Sequence, residues 1–357
     1  MVRTYLLKLY IPNEGKKQEL LALMHKQYDC VNWWIDRIRQ VENTNVRTLH
    51  QEFYRKAREE FGLSADITQV AMFRAIRMAR VAKKRRAESP HLTKMSLCFR
   101  KGYVDGSNLG VNTGTGKKLW LPFKGRDIPT GAIRESLITV RGNEWFCNLY
   151  VGVDEMPSVE TKGILGIDLG IARVAVVSDE HGHNNVFFDG EAYRSKRSHY
   201  YSLRKRLQPK VKQGNVYKLI KRVSSKEHNW IENENHKISR AIVNKAIKEK
   251  KSIAMENLTG IRKRVKMNKK TRRMIHSWAF RELAVFIDYK ARLAGIPYVT
   301  VDPRETSKTC PKCKNVSRRN RKSQSRFVCT KCHYESNADR IGAMNIAKRA
   351  TELGASL

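Results

Sequence analysis

Gly163 to Asp179 reads GILGIDLGIARVAVVSD, and the reading of this stretch decides the fold of the C-terminal half of the chain. An apolar run broken at Gly170 and followed by the β-branched run Val174 to Val177 is the pattern of two central strands joined by a tight turn. One carboxylate, Asp168, sits inside the first run. It can cap the turn before Gly170, the commoner role of Asp at such corners. It can also be a metal-binding carboxylate at the centre of a sheet, a reading that needs partners elsewhere in the chain.

Two other acids repeat the oddity. Ser252 to Leu258, SIAMENL, is a short apolar strand carrying Glu256, whose alternative role is a surface acid or helix cap at a strand end. Asn337 to Arg349, NADRIGAMNIAKR, reads as a helix with Asp339 in its first turn, where the helix dipole alone would favour an acid. As a set, the three stand in a strongly basic half-chain, each in an apolar local setting. Phosphodiester hydrolysis makes use of such a set. Two Mg²⁺ ions about 4 Å apart activate a water and stabilise the leaving oxygen, and Mg²⁺ takes hard carboxylate oxygens while keeping several waters.

Cys310-Pro-Lys-Cys313 and Cys329-Thr-Lys-Cys332 are two CxxC knuckles separated by fifteen residues. Four thiolates at this spacing suit one tetrahedral structural Zn²⁺ with no open position for chemistry. A pair of disulfides is the alternative, disfavoured in a reducing compartment. His333 is expected to be a bystander, and Arg318, Arg319, Arg321, Lys322 and Arg326 make the ribbon basic. Cys30, Cys98 and Cys147 lie in apolar contexts as reduced core residues.

Lys plus Arg number 71 against 34 Asp plus Glu in 357 residues, a net charge of +37. This excess favours a polyanionic partner, since each neutralised phosphate releases counterions. No stretch approaches the roughly 20 apolar residues of a membrane span, and the N-terminus lacks a signal peptide's apolar segment, so nucleic acid in a cytoplasmic, nucleoid-associated setting is expected rather than a membrane. Arg194 to Lys226 holds twelve basic residues and no acid, interleaved with Tyr200, Tyr201, Leu203, Tyr217 and Leu219, and reads as a helical hairpin broken near Pro209 and Gly214. Arg204, Lys205 and Arg206 on it are candidate phosphate contacts. Arg262 to Arg273, eight basic residues in twelve, reads as an arm that orders on nucleic acid, with Arg262, Lys263, Arg264, Arg272 and Arg273 as contacts. Lys83 and Arg85, in the basic end of a helix stopped by Pro90, complete the set.

In the N-terminal half, Arg3 to Tyr10 reads as a strand, and Lys16 to Gln40, Val46 to Phe61 and Ile67 to Ala87 as helices. Lys94 to Val153 returns to strands, ending in a hairpin across Gly142-Asn143. This order suggests a β-barrel whose first strand is separated from the rest by a helical insertion, or else two unrelated small domains. Asp154 to Lys162, DEMPSVETK, is the natural boundary.

GIDLG around Asp168, MENLTGI around Glu256, the run HSWAFRELAVFIDYKARLAGIPYVTVDPRETSKTC, the two knuckles and NADRIGAMNI around Asp339 together resemble the TnpB proteins of insertion sequences (OrfB type), transposon-encoded relatives of the type V CRISPR effectors. The resemblance is ordered from about Gly163 to Arg349. It implies a multidomain α/β chain: a wedge-like β-barrel over 1–10 and 91–155, a helical recognition insertion over 11–90, a RuvC-type nuclease of RNase H fold over 163–303 and 337–350, an inserted zinc ribbon over 304–336 and a tail over 351–357. It makes Asp168, Glu256 and Asp339 the catalytic acids and ligands of two Mg²⁺, and Cys310, Cys313, Cys329 and Cys332 the holders of one Zn²⁺. It implies an RNA-guided DNA endonuclease that binds a guide RNA from the transposon end, cuts matching double-stranded DNA beside a short motif, and shares a function, though not necessarily a contact, with an element-encoded transposase. Readers of that motif are placed in the N-terminal helices, around Gln69 and Arg74. Ile341-Gly342-Ala343 departs from the family's usual Asn-Ala-Ala, and Lys314 and His333 stand where Gly is usual after each knuckle. The alternatives are a guided DNA-binding repressor that does not cut, and a RuvC-like nuclease acting on branched DNA without RNA. A zinc-ribbon regulator would leave the three acids unexplained.

Overall fold

A computed structural model describes residues 1–41, 45–85, 90–114, 116–124, 127–129, 131–257 and 280–354. The chain is multidomain α/β and divides into two units, Met1–Asp154 and Glu155–Leu357. The basic arm Arg262 to Arg273 lies outside the described residues.

In the first unit, β1 (Val2–Leu9) is followed by three helices, α1 (Glu14–Gln40), α2 (Val46–Phe61) and α3 (Ala65–Arg85). The local sequence explains their ends: the Asn13 side chain accepts the Lys16 N–H at the start of α1, and Gly62, at φ +59, ends α2. Strands β2 (Leu97–Phe99), β3 (Gly102–Asp105), β4 (Asn108–Asn112), β5 (Lys118–Pro122), β6 (Ser136–Arg141) and β7 (Glu144–Gly152) follow. They form two antiparallel sheets, β1-β7-β6-β2 and β3-β4-β5. β1 pairs with β7 from Val2↔Gly152 to Leu9↔Trp145, so the helices are an insertion between two partners. The β3–β4 hairpin, turning at Gly106 (φ +53), escapes sequence reading because GYVD and NLGVN carry too few apolar residues to show a period of two. The buried Gln27 of α1 completes the edge of β2: its amide donates to the Cys98 carbonyl and accepts the Cys98 N–H, each at 2.7 Å.

In the second unit, β8 (Ile164–Asp168), β9 (Arg173–Asp179) and β10 (Val186–Asp189) lead to a helical hairpin of α4 (Glu191–Leu207) and α5 (Val216–Glu249), then β11 (Ser252–Glu256), α6 (Phe280–Leu293) and β12 (Tyr298–Val301). The small strands β13 (Arg326–Val328) and β14 (Glu335–Asn337) precede the C-terminal helix α7 (Ala338–Glu352). The central sheet runs β10-β9-β8-β11-β12, with β11 parallel to both β8 and β12, and β9 antiparallel to β8 and to β10.

Alternation along β8 and β11 splits the core into two faces. Leu165, Ile167, Ile253 and Met255 pack with Ile238, Ile242 and Ala246 of α5 and Leu283, Ile287 and Ala291 of α6. Ile164 and Ala254 pack on the other face with Ile346, Ala347 and Ala350 of α7. Both faces are covered, which is why these strands read as continuous apolar runs. Gly166 makes the α7 contact possible, since a Cβ there would lie 2.0 Å from the Ala343 carbonyl oxygen.

Candidate functional site

The register of β8 against β11, with Ile167 opposite Met255, brings Asp168 and Glu256 side by side at the C-terminal ends of two parallel strands. Both belong to the set of alternate residues that faces α7. Asp339 lies in the first turn of α7 and is buried, and Asn337 caps that turn by accepting the Asp339 and Arg340 N–H groups. One helical turn on, Gly342 gives Asp168 its room: a Cβ there would sit 2.7 Å from Asp168 Oδ2.

The electrostatics follow from that convergence. Burial, then the charges of Glu256 and Asp339, push the Asp168 carboxyl well above the usual range, against the pull of Arg321 and the Leu169 amide. Burial raises Glu256, opposed first by a hydrogen bond from the Thr306 hydroxyl. Burial also raises Asp339, opposed by Arg321 and Arg173. The Arg321 guanidinium donates to Asp339 Oδ1 at 3.1 Å. Three acids so placed strain against full ionisation and are a natural seat for cations. Among the described residues they do not close as tightly as the cysteines, the one group of three or more potential ligands already gathered for an ion.

Those cysteines, Cys310, Cys313, Cys329 and Cys332, have sulfurs within 4.8 Å of one another. The pairs Cys310–Cys332 and Cys313–Cys329 stand 3.5 Å apart, far beyond the roughly 2.05 Å of a disulfide. The separation suits a tetrahedron of thiolates about 2.3 Å from a central Zn²⁺. Each knuckle closes through an amide, Lys314 N–H to the Cys310 carbonyl at 2.9 Å and His333 N–H to the Cys329 carbonyl at 3.1 Å. Lys314 and His333 take the left-handed backbone, at φ 58° and 56°, and His333 is outside the cysteine group.

The buried Asn320 ties the ribbon together: its amide donates to the Lys308 and Asn315 carbonyls and accepts the Thr330 N–H. Asn345 and Lys348 of α7 then donate to the carbonyls of Thr306, Thr309 and Pro311. The ribbon segment, thus seated on α7, carries Thr306 to Glu256 and Arg321 to Asp339. Sequence reasoning missed both partners. Arg321 counted only as ribbon charge, and nothing local distinguishes Thr306 from any loop threonine.

The basic candidates fall in several places. Arg204 forms an ion pair with Glu227, the first acid after the basic run, whereas Lys205 and Arg206 are exposed. Lys83 and Arg85 are exposed in the last turn of α3. Arg262, Lys263, Arg264, Arg272 and Arg273 lie outside the described residues. Gln69 lines a cleft of about 610 Å³ with Asn45, Arg47, His50 and Arg100, but Arg74 turns inward, donating to Ser96 Oγ at 2.9 Å and Cys98 Sγ at 3.3 Å. Arg74 therefore holds α3 to β2 and its neighbouring chain. No helix among the described residues is long and apolar enough to cross a membrane.

Comparison with known proteins bears out the family resemblance. Residues 148–262 match the family model of the IS605 OrfB type, described as a probable transposase, and residues 280–346 match the Cas12f1-like TNB domain. A CRISPR-associated endodeoxyribonuclease Cas12f1 of Sulfoacidibacillus thermotolerans is 32% identical over 222 residues, 58% of this chain and 50% of that protein. A TnpB-like protein of Methanocaldococcus jannaschii is 32% identical over 169 residues, 46% of this chain and 60% of that protein. The chain thus spans only half to three-fifths of the length of these relatives. The structure of CasPhi-2 (Cas12j) bound to crRNA superposes with a TM-score of 0.55, covering 99% of this chain and 98% of that one at 10% identity, a likeness of fold.

Proposed function

We propose that this TnpB-like chain is an RNA-guided DNA endonuclease that hydrolyses phosphodiester bonds at Asp168, Glu256 and Asp339. The observation that carries the proposal is their convergence: two adjacent parallel strand ends and a helix start bring three acids together where burial and mutual repulsion hold the Asp168 carboxyl up. In this reading the second unit is a RuvC-type nuclease of RNase H fold, and the first is a wedge barrel with a recognition insertion.

The donor set fits Mg²⁺, since all three side chains offer hard carboxylate oxygens and the neighbouring Arg321 only partly offsets their combined charge, so their carboxyls stay raised. When bound, two such ions would supply an activated water and a stabilised leaving oxygen. The chain's own residues do the rest. The Thr306 hydroxyl orients Glu256, Arg321 offsets the charge of Asp339, and Gly342 leaves space for the Asp168 carboxylate. The ribbon cysteines would hold one Zn²⁺ with all four positions filled by sulfur, a structural role that fixes the segment bearing Thr306 and Arg321. Lysine and arginine side chains outside the acid cluster would retain the nucleic-acid backbone.

The test has two arms. RNA copurifying with the protein is sequenced, and a discrete species is expected. Asp168→Ala, Glu256→Ala and Asp339→Ala are then assayed for Mg²⁺-dependent cleavage of DNA matching that RNA. Each should abolish cutting while leaving affinity nearly intact. A variant that still cuts removes its residue from the site, and absence of any discrete RNA defeats the guided reading.

A further inference from the structure

The α4–α5 hairpin ends in a feature that phosphate binding does not account for. A cleft of about 430 Å³ at its tip is lined by Tyr201, Arg204, Lys205, Gln208, Val211, Tyr217 and Ile220. Its walls are largely apolar. Tyr217 is 63% exposed, Val211 38% and Leu219 40%, an unusual outlay of apolar surface on so charged a hairpin. Around it the charge is of one sign: Lys205, Lys212, Lys218, Lys221 and Arg222 form no ion pair among the described residues. Arg204 is taken up by Glu227, which links α4 to α5 and leaves the phosphate role to the lysines.

An aromatic platform ringed by cations is the recognition chemistry of an unpaired nucleotide, whose base stacks while its phosphates meet the lysines. A duplex hides its base faces and would leave Tyr217 wet. We propose that the hairpin tip holds an unpaired segment of RNA, with one base stacked on Tyr217, Tyr201 and Ile220 closing the apolar wall, and Lys205 meeting the adjacent phosphate. Gln208 in the lining can both donate and accept and so can pair with a ribose 2′-hydroxyl or a base edge, and the choice of RNA over DNA rests on the guide-RNA reading. The inference rests on the proposal that the protein binds a guide RNA, and adds to it a place where that RNA is single-stranded.

Photocrosslinking tests it on the full-length protein. A 20-nucleotide oligouridylate containing 5-iodouridine is irradiated in the complex and the crosslinked peptides are mapped by mass spectrometry, with the deoxyuridine oligonucleotide and a 20-base-pair RNA duplex carrying the same label as controls. The expected result is a crosslink at Tyr217 with single-stranded RNA that is absent with the duplex and weaker with DNA. Tyr217→Ala should lose it and bind the oligouridylate about 5- to 150-fold more weakly at this site, while Tyr217→Phe retains both, as stacking requires. Lys205→Gln should lower the salt slope by about 0.7 unit, which Tyr217→Ala should not. Crosslinks elsewhere on the protein but none at Tyr217 would overturn the proposal while leaving the guided-nuclease reading intact. An equal yield with the DNA oligonucleotide would overturn the assignment to RNA. No crosslink at any site would likewise overturn the proposal, and the sequencing of copurified RNA decides the RNA partner separately.

Discussion

Replacing Lys314 and His333 together by glycine should strengthen the four-cysteine ribbon that we propose holds Zn²⁺. Both residues follow the last Cys of a knuckle and occupy left-handed backbone, φ 58° and 56°. For an L-residue with a Cβ this conformation costs about 1–2 kcal/mol, which glycine avoids. Glycine also gains freedom in the unfolded chain, worth about 0.5–1 kcal/mol in the opposite direction. The net gain is about 0.5–1 kcal/mol per site, or about 1–2 kcal/mol for the pair if the two add. The closing hydrogen bonds survive, because the amides of residues 314 and 333 are the donors. The side-chain loss is small: Lys314 stands 3.9 Å from Glu352 with both side chains mostly exposed, a pair contributing next to nothing. Because metal binding and ribbon folding are one equilibrium, the gain should appear as zinc affinity tighter by about 5- to 30-fold. Competition with a chromophoric chelator at pH 7 measures it, beside the wild-type protein. A double variant that releases zinc more readily would refute the reasoning, and would mean that His333 is a ligand or that the knuckle backbone differs from that described.

Other outcomes follow from the same structure. Gly342→Ala places a Cβ 2.7 Å from Asp168 Oδ2, a contact with a side chain that can shift, and restores the Ala usual in the resembled family, so cleavage and thermal stability should both change little; a tenfold loss of cleavage would show that Asp168 depends on the space Gly342 leaves. Gly166→Ala meets the Ala343 backbone at 2.0 Å and should destabilise the second unit by about 1–3 kcal/mol or more, read as a lower urea midpoint. Lys290 is buried between α6 and α5, donates to the His236 carbonyl and Ser239 Oγ, and burial lowers its pKa to about 8. The folded state therefore releases this proton before the unfolded state does, so stability should rise with pH between about 8 and 10.5, by at most about 1.4 kcal/mol per unit. Lys290→Met should flatten that slope, and an identical slope in the variant would show that Lys290 does not titrate in this window.

Much of this molecule is written locally. The apolar run GILGID, the change from a period of two to a period of 3.6, and the CxxC spacing identify strands, helices and a four-cysteine cluster from residues a few positions apart, where propensity and periodicity act. They also mark Asp168, Glu256 and Asp339 as three acids in unexpectedly apolar places. Local pattern does not state that β11 lies parallel beside β8 in the register that aligns Glu256 with Asp168, because pairing across 88 positions is settled by packing on α5, α6 and α7. Nor does it reveal that Gly342, a departure from the family pattern on paper, is the space Asp168 occupies, or that Arg204 is claimed by Glu227. Thr306 and Arg321 reach the acids only because the ribbon is hydrogen-bonded onto α7. The sequence by itself determined which side chains are chemically capable. Only the tertiary structure decided which of them meet, since a contact between distant residues depends on the shape of everything packed between them.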